Sequence, residues 1–97
     1  MILRIFRVTV VPDRVEEFRR FFLEKAVPLM RSTDGVEQVL FGLPRPESPN
    51  DFAVVMVWRD LAALEAFVGG DWRVPHIDPD ELGVVETRAL DHYELVA

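Results

Sequence analysis

Residues 2–11 (ILRIFRVTVV) alternate and are rich in β-branched side chains, with Phe6, Val8 and Val10 on one parity and Arg7 and Thr9 on the other. That period of two predicts a half-buried strand. Pro12 cannot extend its ladder. Asp13-Arg14-Val15-Glu16 then has the form of a capping box, the Asp accepting an early helical N–H and the Glu reaching back. Val15, Phe18, Phe22, Ala26 and Leu29 follow at helical spacing as one apolar stripe, while Glu16, Glu17, Arg20 and Glu24 face elsewhere. Pro28 lacks the N–H for an i→i−4 bond, so it predicts a kink or an end to this helix.

Thr33-Asp34-Gly35 reads as a turn, and Val36 to Leu43 as a second strand in which Gly42 marks a bulge. LPRPESPND, with three prolines in nine residues, is a loop. Phe52 to Trp58 (FAVVMVW) has high β-propensity, and its loop to the second strand suggests a hairpin. Asp60 caps a second helix with Leu61, Leu64, Phe67 and Val68 on one face, closed by Gly69-Gly70. After Trp72 the chain is irregular, with a short helical turn predicted where Asp78 precedes Pro79. Glu86 to Val96 alternates as a last strand.

The order is βαββαβ, and strand, aspartate and amphipathic helix occur twice, as in a split βαβ fold. This predicts an α+β protomer with a four-stranded antiparallel sheet and both helices on one face. The third strand is unusual because Phe52, Val54, Met56 and Trp58 occupy one parity while Ala53, Val55 and Val57 occupy the other. Both faces are apolar, and two helices cover only one. Exposing Val54, Met56 and Trp58 would forfeit about 1.5–3 kcal/mol per large side chain, against a typical domain stability of about 5–15 kcal/mol. We therefore expect a homodimer with sheets packed face to face; a tail after Trp72 folded over the open face is the alternative.

Composition narrows the function classes. Ninety-seven residues make one domain, 1–97, and exclude a two-domain enzyme. Eleven Lys+Arg against seventeen Asp+Glu leave 11 − 17 = −6, which opposes non-specific contact with nucleic acid or an anionic membrane. Without cysteine there is no disulfide, thiolate nucleophile or Cys-based zinc site, and two histidines are too few for an all-His metal site. No apolar stretch approaches the roughly 20 residues of a membrane span, and the amino end lacks a signal-peptide layout, so a cytoplasmic location is expected.

RVTVVPDRVEEFRRFF, VPLMRSTDGVEQVLFG, FAVVMVWRDLAALEAF, GDWRVPHIDPDE and DHYELV together resemble the antibiotic biosynthesis monooxygenase family of the dimeric α+β barrel superfamily. The resemblance covers nearly the whole chain, and most of its cues are structural. It implies a ferredoxin-like protomer whose sheet pairs with its partner's to form a barrel, each protomer holding a pocket between sheet and helices. Members include cofactor-independent oxygenases of aromatic polyketides, quinol monooxygenases, haem-degrading enzymes and small proteins of no settled activity; fold does not choose among them.

Cofactor-free oxygenation needs a phenol or quinol to be deprotonated so that its anion can reduce dioxygen in a dry pocket. An indole N–H, a guanidinium and a base near neutral pKa suit that task, which makes Trp58, Arg7 and His92 the candidate catalytic residues. Each has a plainer reading, as a barrel-core aromatic, an edge salt bridge and a packing histidine respectively. Phe52, Val54, Met56 and Tyr93 are the candidate pocket residues. His92 and Tyr93 are adjacent on a strand, so only one of them can face a given pocket. His76 lies eighteen residues after Trp58, close to the spacing between pocket Trp and haem-ligating His in haem-degrading relatives. Those relatives also carry an Asn on the first strand, where this chain reads Ile5-Phe6-Arg7, and Pro75 and Pro79 make the His76 segment loop-like. His76 is thus a cofactor residue only if haem binds. Neither metal nor cofactor is expected. The expected function is a small barrel that binds an apolar or aromatic molecule and acts as a cofactor-independent monooxygenase of phenols or quinols. A non-catalytic ligand-binding or stress-associated dimer of the same fold is the alternative.

Overall fold

The alternating first segment forms β1 (Ile2–Val10), as it must to bury Val8 and Val10 while Arg7 stays in water. The computed structural model describes residues 1–75, 77–81 and 83–96. A 3-10 turn, Pro12–Arg14, leads into a long helix built from α1 (Val15–Phe21), a π-helical turn (Phe22–Ala26) and α2 (Val27–Arg31). The predicted capping box does not form. The 3-10 turn displaces the helix start to Val15, no side chain caps it, and Arg14 instead pairs with Glu17 at 2.7 Å. Nor does Pro28 end the helix. Its ring would collide with the carbonyl four residues back, and the wider π turn lies directly before it, with Val27 N–H donating to the Phe22 carbonyl.

β2 (Val36–Gly42) and β3 (Asp51–Trp58) form the expected hairpin. The register shift lies between Val36 and Gln38 rather than at Gly42, which packs opposite Ala53. α3 (Leu61–Val68) is capped by the Asp60 carboxylate, which accepts from the Ala63 N–H at 2.8 Å, and it stops at Gly69 in the left-handed region. A second 3-10 turn, Pro79–Glu81, precedes β4 (Val85–Glu94). There the Glu81 carboxylate accepts from the Asp78 N–H at 2.9 Å and the Glu81 N–H donates to the Asp78 carbonyl at 2.9 Å.

All strand pairs are antiparallel, in the order β2-β3-β1-β4, giving a ferredoxin-like α+β fold. Register places Val39, Met56, Arg4 and His92 in one row across the four strands, and Phe41, Val54, Phe6 and Leu90 in the next. These rows lie on the helix side, where Phe18, Phe22, Ala26, Val27 and Leu64 join Val8, Phe52, Val54, Met56 and Trp58 in the core.

That arrangement corrects the expected orientation of the third strand. Phe52, Val54, Met56 and Trp58 lie under the helices, and it is the parity of Ala53, Val55 and Val57 that lies on the open face with Leu3, Ile5 and Leu40. Both parities are apolar, so β3 alone could not decide which face the helices take. No helix among the described residues is long and apolar enough to cross a membrane.

Candidate functional site

A cavity of about 70 Å³ lies between the sheet and the long helix. Its floor is Arg4, Phe6 and Val8 of β1 with Phe52, Val54 and Met56 of β3; Phe18, Phe22, Ala26 and Met30 roof it. The π turn shapes the roof. Adding a residue to one turn rotates the following stripe, so Val27 is buried and Leu29, which regular spacing would bury, stands at the cavity rim half exposed. Phe21, off the stripe, packs on Phe18 at 5.6 Å between ring centres and lines the cavity. An open depression of about 540 Å³ lies outside it, and Phe18, Phe21 and Lys25 line both spaces, forming the partition between them.

The wall is apolar except for Arg4, Lys25, Asp78 and Glu81. Lys25, in the π turn, reaches Asp78 at 3.2 Å and so ties the helix to the segment before the second 3-10 turn. Glu81 is buried and faces Arg88 at 3.6 Å.

Arg4 is only 4% exposed. It is carried on the apolar parity of β1, with Phe6, Val8 and Val10, and burial there pulls its guanidinium below the usual arginine range. Its Nη1 donates to the Trp72 carbonyl at 2.8 Å and lies 2.8 Å from His92 Nε2. Arginine has only donors, so Nε2 must accept, which places the imidazole proton on Nδ1 and holds His92 neutral. Burial and the adjacent guanidinium push the His92 pKa below its ordinary value, with Asp91 opposing. The Trp72 ring meets the imidazole edge-on, 5.0 Å between centres. Among the described side chains, which leave out that of Asp80, no carboxylate pairs with Arg4.

The residues singled out in the sequence are separated by the sheet. Phe52, Val54 and Met56 line the cavity. Trp58 is 0% exposed and packs on Phe67 at 5.1 Å; Phe67 is a wall residue, Trp58 is not, and the indole N–H has no acceptor among the described residues. His92 reaches the cavity only through Arg4. Arg7 lies on the opposite face in an exposed pair with Asp91 at 3.2 Å, and Tyr93 lies on that face too, 54% exposed. The placement of both follows from strand alternation, which sends odd positions of β1 and β4 away from the helices. His76 lies outside the described residues. Among those described, no cluster of three or more His, Asp or Glu side chains could hold a metal ion. Arg4 escaped the sequence reading, although a charged residue on an otherwise apolar parity of a strand was its signal.

A four-stranded antiparallel sheet covered on one face by helices, with an apolar cavity between the layers, defines a ferredoxin-like α+β fold. The antibiotic biosynthesis monooxygenase family model matches residues 1–72, and the chain belongs to that family. Solved structures agree in fold. A Deinococcus radiodurans protein proposed to be an antibiotic biosynthesis monooxygenase superposes with a TM-score of 0.80 at 15% identity, covering 100% of this chain and 94% of that one. A Pseudomonas aeruginosa protein gives 0.78 at 20% identity, with 99% and 94% covered. A Bacteroides thetaiotaomicron protein, also proposed to be a family monooxygenase, gives 0.73 at 22% identity, with 99% and 90% covered. No curated protein matches the chain.

Proposed function

We propose that this protein is a cofactor-independent monooxygenase acting on a small phenol or quinol held in the sheet–helix cavity. The observation that carries the reading is an apolar cavity with a buried guanidinium in its wall. Deprotonating a phenol creates an anion that can hand electrons to dioxygen, and a fixed cation out of bulk water stabilises that anion more than water-screened charge can. One phenol and one dioxygen give a quinone and one water, so the balance needs no external reductant. The void is smaller than the roughly 150 Å³ apolar cavity that accepts a benzene. An aromatic ring therefore requires the rim side chains Leu29, Met30 and Phe21 to yield, and the unbranched Met30 is suited to that.

The reading includes a homodimer. Support comes from the open sheet face, where the partly exposed Leu3, Ile5 and Val55 adjoin Leu40, 55% exposed, and Tyr93. A second copy laid sheet to sheet removes that apolar surface from water.

Oxygen-electrode measurements on a panel of quinols and anthrone-like phenols test the activity. Protein-dependent oxygen uptake with stoichiometric quinone is expected for at least one compound; rates equal to the protein-free control across the panel rule the oxygenase reading out and leave a ligand-binding role.

A further inference from the structure

Among the described side chains the cavity wall holds two cations, Arg4 and Lys25, and two carboxylates, Asp78 and Glu81, and both carboxylates are engaged by cations other than Arg4. Lys25 has Asp78, and Arg88 has Glu81. Arg4 has a backbone carbonyl and a neutral imidazole, both served by Nη1, and no protein acceptor among the described residues meets its Nε or Nη2. Neither nitrogen is a fully enclosed orphan, unlike the Nε of Arg88, and Arg4 is part of the cavity wall. A guanidinium presents its donors as a planar fork that fits a carboxylate or a similar pair of oxygens. Burying such a cation without a counter-ion is costly, and the cost is recovered when an anion arrives.

Resting on the reading of the cavity as a ligand site, we infer that its ligand is an acid: a small apolar or aromatic molecule whose carboxylate or acidic hydroxyl pair seats on the free edge of Arg4. His92 and Trp72 are positioning residues for that edge. By taking Nη1 they fix the rotation of the guanidinium, so that Nε and Nη2 are left for the ligand. The protein as a whole carries −6, so an anion is drawn in by this local charge and not by the overall field.

The test is binding, measured without turnover by calorimetry on the full chain. Acetate and benzoate are each compared with the neutral isostere, acetamide and benzamide. Benzoate should bind roughly tenfold or more tighter than benzamide. Arg4→Gln should erase that difference and Arg4→Lys, which keeps the charge without the fork, should retain part of it. In the wild-type protein the Arg4 Nε–H resonance should shift on adding benzoate and stay in place with benzamide, a readout that survives if a variant fails to fold. Acids that bind no better than their amides, or a preference that persists in a folded Arg4→Gln, overturn the inference. Oxygen uptake plays no part in these measurements. The oxygenase reading can therefore fail while the acid preference stands, and the reverse.

Discussion

At the scale of single residues, the Arg4–His92 contact makes stability depend on pH through a neutral histidine. Protonating Nε2 would remove the acceptor and set two cations 2.8 Å apart. The folded-state pKa of His92 lies below its ordinary 6.5, so between the two values the unfolded chain binds more protons than the folded one. Stability is then complete above about pH 6.5 and falls as pH drops through 6.5 toward the lower folded value. Thermal melts from pH 7.5 to 5 should show a declining Tm that is flattened in His92→Gln, whose amide oxygen can accept from Arg4; an equal slope in both proteins would assign the decline to other groups. The pair was only half legible in the sequence. His92 stood out as a base near neutrality, but register alone put it beside Arg4, eighty-eight positions away. Strand alternation equally explains why Arg7, chemically the same as Arg4, has no access to the cavity.

Among elements, the turn before β2 and the face of α3 are locked by absent side chains. Gly35 has φ +88°, and a Cβ there would lie 2.7 Å from the Cβ of Ala63. Gly35→Ala should therefore cost about 1–3 kcal/mol from overpacking and backbone strain together. Adding Ala63→Gly should recover the contact portion and leave the strain. Chemical denaturation of the two single variants and the double variant checks this, with additive losses showing that the Cβ contact is not the cause. Helix and strand identities were legible because their periods are clear, as at Asp60 to Gly69. What escaped was a change of period inside one helix. The stripe Val15, Phe18, Phe22, Ala26 predicts Leu29 as its next member, and the π turn before Pro28 substitutes Val27. A single residue added to one turn has no hydrophobic signature of its own, yet it decides which side chains roof the cavity.

For the whole molecule, the proposed homodimer would use the open sheet face. Val55 lies at its centre with Ile5 and Leu40 as register neighbours. If two copies meet there, Val55→Asp should shift the sedimentation mass at micromolar concentration from twice 11.2 kDa to one chain's mass while far-UV circular dichroism is unchanged. A wild-type protein that already sediments as one chain would remove the homodimer. That both faces of the sheet carry apolar side chains was legible in the two apolar parities of β3, but which parity lay open was settled only by the long helix, whose Phe18 and Phe22 pack on Phe52. The strand order has a temporal consequence as well. β1, the first strand translated, is hydrogen-bonded on one side by β4, the last. At about 5–20 residues per second, the ribosome leaves that edge of β1 without its strand for roughly 4–17 s. Arg4 and Arg7 place one charged side chain on each face of that strand, and charged side chains on an edge strand disfavour pairing with a neighbouring chain.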